Sequence, residues 1–385
     1  MANEFQISSV IATEGLQFLS ENNVLAGPDN IANRSHEGDW SKWDDLEIGT
    51  EVRIPVPFYF ETLDSFDQVN PTVVSDVKNK TIALKIEEHF YKRISITSED
   101  LVFRSKNFIN RNVKAVMEVF ATGIEKFSFR KMFTGTYNYV KLAGVPSSKA
   151  DLAKINTAFI KMKAKQGEKK LILTTEAHEA VTSMDAFTKA NERNSDFTIN
   201  TGYAGSYYGM EIYVSTILDE VVEEVKASLA GNTFTGGVLK TSVSKDQDVK
   251  VLVIDDVEAG EVIKKYTILK VGSVSFVAAA DAVEAGGEIQ VLVERVGYNA
   301  SAGAAVSIET GIGYNFAITP YTFLLVQASP AAALGAADSS YAVDPKTGAN
   351  IRVTIEWSND NMKTNALFDT FVGGRVGQSE QSYRC

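Results

Sequence analysis

The chain has 385 residues, 44% of them apolar, and its 38 basic and 49 acidic side chains leave a formal net charge of −11. That is too apolar for a disordered chain and long enough for two or three domains around well-buried cores. No apolar run reaches the ~20 residues of a membrane-spanning helix, the net acidity argues against a dedicated nucleic-acid binder, and the single cysteine, Cys385, permits neither an internal disulfide nor a thiolate zinc site. Cys385 reads as an exposed tail residue. The first residues lack the basic start and apolar block of a signal peptide, so residence in the cytosol of the producing cell is expected.

Residues 1–50 hold nine acidic and two basic side chains. Rich in Asn, Gly and Ser, they read as an extended arm with one short helix near Ile7–Ser20. VRIPVPFYF (52–60) then alternates, placing Val52, Ile54, Val56, Phe58 and Phe60 on one face. Pro55 and Pro57 put two missing amides on one strand edge, which therefore stays unpaired. Ile82, Leu84 and Ile86 form a second alternating run, and Asn70-Pro71 marks a turn between the two. The pattern predicts a long two-stranded projection over residues 51–96. Such a ribbon is marginal alone in water and needs cover from a neighbour.

A long helix is predicted from about Ser98 to about Arg130, on the order of 50 Å. Thr97 and Ser98 offer capping hydroxyls, with Glu99 and Asp100 in the first turn. Ile109, Val113, Val116, Met117, Phe120, Ile124 and Phe127 fall on one face. Between residues 104 and 131 lie seven basic side chains (Arg104, Lys106, Arg111, Lys114, Lys126, Arg130 and Lys131) against Glu118 and Glu125. This basic face and the acidic arm are expected to meet between subunits. A second helix starts at Ser148 with Asp151 three residues on, buries Leu152, Ile155, Phe159 and Met162, and ends at Gly167. KKLILT (169–174) reads as a buried strand, Glu176–Met184 as a short helix, and MEIYVSTIL (210–218) as a strand. Residues 225–312 carry short alternating runs broken by Gly-containing turns, the signature of a small all-β unit. YNFAITPYTFLLV (314–326) reads as an apolar strand region. Ile351, Val353, Ile355 and Trp357 alternate after an Asp344-Pro345-Lys346-Thr347-Gly348 turn, and Leu367–Val376 is read as the last strand.

No pattern carries chemistry. His36, His89 and His178 have no metal-site spacing, and His178-Glu179 lacks the second histidine of a zinc-protease helix. His89 is expected on the polar face of a strand and His178 on the short helix as an ordinary polar residue. No phosphate-cradling loop or nucleophile elbow occurs, and the adjacent acidic pairs Asp44-Asp45, Glu87-Glu88 and Asp255-Asp256 point to opposite faces of strands or into solvent. No catalytic residue, cofactor site or metal site is assigned.

The order of parts resembles the Hong Kong 97 phage-type capsid fold. KKLILTTEAHEAV with GSYYGMEIYVSTIL, and NFAITPYTFLLV with AVDPKTGANIRVTIEWSNDNMKTNALFDTFVGGRV, are similar to passages of tailed-phage coat proteins, nearest to podovirus-type coat proteins with an inserted β domain. The resemblance implies an α+β fold. Its parts would be an N-arm (1–50), an E-loop (51–96), a spine helix with peripheral domain (97–146), an axial domain (147–224), a β-rich insertion (225–312) and closing strands (313–385). It implies a major capsid protein, not an enzyme, that self-assembles as hexamers and pentamers into an icosahedral virion shell. Assembly would take place in host cytoplasm with a separate scaffolding protein, a portal and a decoration protein. The shell would enclose double-stranded DNA without sequence-specific binding and without a membrane. The alternatives are an encapsulin-type compartment holding cargo and another virion structural protein. Pro55, Pro57, Phe58, Tyr59, Phe60 and Phe66 are the expected intersubunit contacts of the E-loop, and Arg104, Lys106, Arg111 and Lys114 the basic spine face.

Overall fold

The computed structural model describes residues 12, 49, 51–55, 81–96, 112–162, 169–184, 206–244, 251–294, 298–319, 322–328, 338–343, 349–358, 363–377 and 382–385. The fold is α+β. Helix α1 (Lys114–Gly135) spans 22 residues, about 33 Å. Val113, Val116, Met117, Phe120, Ile124 and Phe127 are all buried, so the three- and four-residue spacing read from the sequence is the stripe that faces the core. The helix passes the predicted stop at Arg130. Beyond Phe127 the core closes around it: Ser128, Phe129, Met132, Phe133, Thr134 and Gly135 are buried, and one-face periodicity gives no signal there. Its predicted start at Ser98 lies outside the described residues.

The stripe packs on a five-stranded sheet of β3 (Glu88–Ile96), β16 (Phe323–Ala328), β17 (Asp338–Val343), β18 (Asn350–Ser358) and β19 (Lys363–Val376). The long strand β19 is the axis. It pairs with β3 from Thr364 to Val372, and on its other edge with β18 and then β16. Gly374 permits the close approach of helix and sheet, since a Cβ there would lie 2.9 Å from Phe323 and 3.0 Å from Phe127.

A ribbon leaves this sheet. In it β1 (Glu51–Pro55) pairs antiparallel with β2 (Thr81–Lys85), Glu51 opposite Lys85 and Pro55 opposite Thr81. The predicted strand beyond Pro55 lies outside the described residues. The returning leg departs from the sequence reading: after Ile86 and Glu87 it becomes β3 and enters the body. Phe90 and Ile94 pack against the core of α1, an apolar pull that a free projection lacks.

A second five-stranded sheet has the order β20-β15-β4-β6-β5, built from β4 (Lys169–Leu173), β5 (Ser206–Tyr207), β6 (Met210–Val214), β15 (Phe316–Ile318) and β20 (Ser382–Arg384). The pair β4–β6 is parallel, and the segment that joins them contains α3 (Thr175–Thr182). Helix α2 (Lys149–Lys161) begins as predicted, with the Ser148 hydroxyl accepting from the Asp151 N–H at 3.2 Å. The strand read over 210–218 is shorter than predicted. It ends at Val214, Ser215 caps a new helix, α4 (Thr216–Leu229), and Leu218, Val221, Val222 and Val225 line that helix's buried face. The apolar region 314–326 is likewise two strands in two sheets, separated by a turn in which Thr322 N–H bonds the Thr319 carbonyl at 3.0 Å.

A six-stranded antiparallel sheet lies within residues 237–308. Its order runs Val274–Val277, Ile268–Val271, Ala305–Ile308, Gly237–Leu239, Val251–Asp255, Ile289–Leu292. Leu252, Ile254, Leu269, Phe276, Ile289 and Val291 form a core of its own.

Candidate functional site

The ribbon is clamped where it leaves the body. Ile86 and Glu87 send their backbone bonds to opposite sides: the Ile86 carbonyl accepts from Gly49 N–H at 2.9 Å, and Glu87 N–H donates to the Val372 carbonyl at 3.1 Å. Leu84 and Ile86 are fully buried. Gly373 lets the strands touch, because a Cβ there would lie 2.5 Å from the Lys85 carbonyl oxygen. Lys131 of α1 ties the root down through Glu87 at 2.6 Å and Glu294 at 3.5 Å. Burial works against the Lys131 charge, but Glu294 and Glu87 outweigh it and hold its pKa above the ordinary lysine value.

Of the predicted contact residues, Pro55 lies in β1 opposite Thr81 of β2. Pro57, Phe58, Tyr59, Phe60 and Phe66 lie outside the described residues, as do Arg104, Lys106 and Arg111 of the basic face. Lys114 sits exposed at the start of α1. The pairing expected for the rest of that face is corrected. Lys126 pairs with Glu220 and Arg130 makes two bonds to Glu224 at 2.9 and 2.8 Å, both partners on α4 of the same chain. The hydrogen bond from Arg130 holds the Glu224 carboxyl below its usual range. Unrecognised in the sequence, α4 supplied the missing counter-charges.

On the sheet face away from α1, Asp369 is fully buried and receives Arg352 Nε at 2.9 Å, Arg352 Nη2 at 2.5 Å and His89 Nε2 at 3.2 Å. Both its oxygens are engaged, Oδ1 by Arg352 Nε and Oδ2 by Arg352 Nη2 and His89, so it is a structural anchor. His89 therefore stands on a strand face as expected, but as a partner of a buried carboxylate. His178 sits on α3, where burial lowers its pKa.

Cys385 corrects another expectation. It is fully buried, with its N–H on the Asn315 carbonyl at 3.0 Å and its own carbonyl on Asn315 Nδ2 at 3.0 Å. Burial pushes the thiol up to about 12. A cleft of about 720 Å³ opens nearby between α3, α4 and the 311–315 loop. Much of its charged rim is paired: Asp219 accepts from Thr175 N–H at 3.0 Å, Lys226 bonds Glu223 at 2.8 Å, and Lys141 bonds Glu309 at 2.7 Å. Among the described residues no group of three or more His, Cys, Asp or Glu is placed to hold a metal ion, and no helix is long and apolar enough to cross a membrane.

The chain is similar along its length to structures of phage and virus-like particles. A structure from Mycobacterium phage Che8 is 10% identical, with 93% of this chain and 89% of that one covered and a TM-score of 0.46. A virus-like particle from Pyrococcus furiosus is 10% identical over 97% of each chain, with a TM-score of 0.44. The capsid of cyanophage P-SCSP1u is 10% identical over 88% of this chain and 84% of that one, with a TM-score of 0.43. No family model matches the chain, and no curated protein does. Identity this low fixes the role of no residue.

Sequence reasoning missed the clamp of Lys131, Glu87 and Glu294, and the anchor of His89, Asp369 and Arg352. Their members lie 280 residues apart in the extreme case of His89 and Asp369. The alternation of 351–357 sets Arg352 off the apolar face of β18, but nothing local places Asp369 of β19 opposite it.

Proposed function

We propose that this chain is the major shell subunit of a tailed double-stranded DNA phage, with a Hong Kong 97 phage-type fold, and that it acts by self-assembly. The ribbon root is the observation that carries this reading. A two-stranded ribbon is held at its base by a buried strand, a glycine contact and the Lys131 clamp. Rigid rooting gives no benefit to a loop that covers its own body. It suits an element that must reach a neighbour at a set angle, and a ribbon of two strands gains its stability only when covered. Closure of hexamers and pentamers into a virion shell in host cytoplasm would supply that cover, with scaffolding, portal and decoration proteins and packaged DNA as partners.

The test is expression alone and with the neighbouring genes, followed by size-exclusion chromatography and negative-stain electron microscopy. Closed shells or ring-shaped capsomers are expected. Nucleic acid inside supports the phage shell, whereas enzyme cargo inside would replace it with a compartment. A monomer under every condition overturns the reading.

A further inference from the structure

The acidity of the whole chain hides one strongly basic stretch. Residues 141–170 carry eight lysines and no arginine, with Asp151 and Glu168 as the only acids. The fold brings three of these lysines to one place. Lys141, Lys154 and Lys161 line a cleft of about 310 Å³ together with the rings of Tyr139 and Tyr383. Lys154 and Lys161 are seven residues apart on α2, two turns or about 10 Å, so they stand on one face of the helix. Lys141 reaches the same cleft from the chain before the helix.

Counter-charge is short at this cleft. Lys154 meets Asp151 at 3.3 Å and Lys141 meets Glu309 at 2.7 Å. Both carboxylates are already engaged: the Ser148 hydroxyl donates to Asp151 at 2.7 Å. The bond from Lys141 holds Glu309 below the usual carboxylate range against its own burial, and Tyr139 and Lys270 act in the same sense. Lys161 is exposed and has no ion pair among the described residues. Four lysines therefore share two carboxylates, and the side chains of Lys141 and Lys154 remain 62% and 55% exposed.

The choice of residue indicates the anion. A carboxylate is held best by the planar fork of arginine, and no arginine lines the cleft; lysine is a point charge that takes a phosphate oxygen from any direction. Eight lysines in thirty residues also suit a ligand that repeats its charge, and a phosphodiester backbone carries one negative charge per nucleotide. We infer that the α2 cleft is a nucleic-acid contact, in which Lys141, Lys154 and Lys161 hold backbone phosphates and read no bases. That the nucleic acid is a packaged genome rests on the shell reading above; the contact itself needs only this chain.

Binding is read by fluorescence anisotropy with a labelled DNA duplex of arbitrary sequence in a salt series. Subunits or capsomers are used, and shells, if they form, are first dissociated so that both faces are open. The parent is expected to bind, with log affinity falling linearly against log salt. Lys141→Gln, Lys154→Gln and Lys161→Gln together are expected to reduce that slope by about two to three and to weaken binding about a hundredfold at ~0.1 M salt. Lys92→Gln, Lys226→Gln and Lys240→Gln make the same charge change elsewhere and are expected to leave the slope near the parent's. Equal losses in the two triple variants overturn the site, because net charge alone would explain them. No binding by the parent, or an unchanged slope in the first variant, overturns it as well. Lysine acetylation of the parent chain gives a second reading that depends on no variant's folding. Protection of Lys154 and Lys161 by the duplex is expected, whereas protection by polyglutamate alone gives the cleft to an acidic protein and overturns the inference. A chain that forms shells and does not bind DNA loses this contact and keeps the shell reading; one that binds DNA through these lysines and never assembles does the reverse.

Discussion

Asp369 is the side chain on which the outer face of the body sheet depends. It lies beyond solvent, and the Arg352 side chain that holds it with two bonds is only 10% exposed. A buried ion pair gains little over apolar side chains of the same size, but one partner left alone costs about 3–5 kcal/mol, because a charge remains in a poor dielectric. Asp369→Ala is therefore expected to lower the unfolding free energy of the chain, read from urea unfolding, by an amount in that range. Arg352→Met with Asp369→Leu is expected to recover most of the loss. A single variant as stable as the parent would show that water or a second acceptor solvates Arg352. His89 contributes less, since its side chain is one-third exposed at 33% and it meets Asp369 through one contact.

At the scale of elements, Ser215 joins two helices. Its hydroxyl accepts from Leu218 N–H at 3.4 Å as the N-cap of α4 and donates to the buried Glu125 of α1 at 2.8 Å. Loss of a cap costs about 1 kcal/mol, and a buried acceptor left short of a donor about 1–3 kcal/mol more. Ser215→Ala is expected to fall toward the upper end of that sum in denaturant unfolding. The same change in a Glu125→Leu background is expected to cost only the cap, and equal costs in both backgrounds would refute the bridge. The residue also shows what was legible in the sequence. Ser148 was readable as a cap because a Gly- and Pro-containing stretch precedes it and Asp151 follows at the right step. Ser215 was not, because apolar residues on both sides, Ile212 and Val214 before it and Ile217 and Leu218 after it, read as one strand running through Ser215 and Thr216. The stripe of α1 was legible as far as a single face was buried and failed where the core surrounds the helix. Apolar composition through Phe316–Ile318 and Phe323–Ala328 hid the change of sheet between β15 and β16. The burial of Cys385 rests on a bond to Asn315, a pairing 70 residues apart that no local pattern encodes.

Across the whole molecule, the chain enters and leaves its six-stranded sheet side by side. Gly237 pairs with Val306 and Val238 with Ala305 on adjacent antiparallel strands, so about seventy residues begin and end at one point on the body. They have a core of their own, and they are joined to the body at several points, among them Tyr137, which is buried against Ile268 and Val277 beside Tyr298, and Asn138, which accepts from the Tyr298 hydroxyl at 3.1 Å. Glu294 meets Lys131 and accepts from Thr134 at 2.7 Å, Arg375 donates to the Glu294 carbonyl at 2.7 Å, and the Tyr266 ring stands 6.2 Å from Phe133. Replacing residues 238–305 with an Asn-Gly turn between Gly237 and Val306 should therefore spare the body, since a two-residue turn of that kind joins adjacent antiparallel strands. The cost falls on Phe133, which loses an aromatic neighbour, on Tyr137, which loses Ile268, Val277 and Tyr298, and on Lys131, which keeps Glu87 but not Glu294. Aromatic truncation against a core is worth about 3–5 kcal/mol. The deletion variant is expected to be less stable by that order, while hydrogen exchange still shows α1 and β19 protected. Fast exchange through α1 and β19 would mean that the β unit is part of the body's folding core, with the two cooperating through Phe133 and Tyr266. Protection at the parent's level with no loss of stability would mean that Glu294 and Tyr266 only rest on the body and do not hold it.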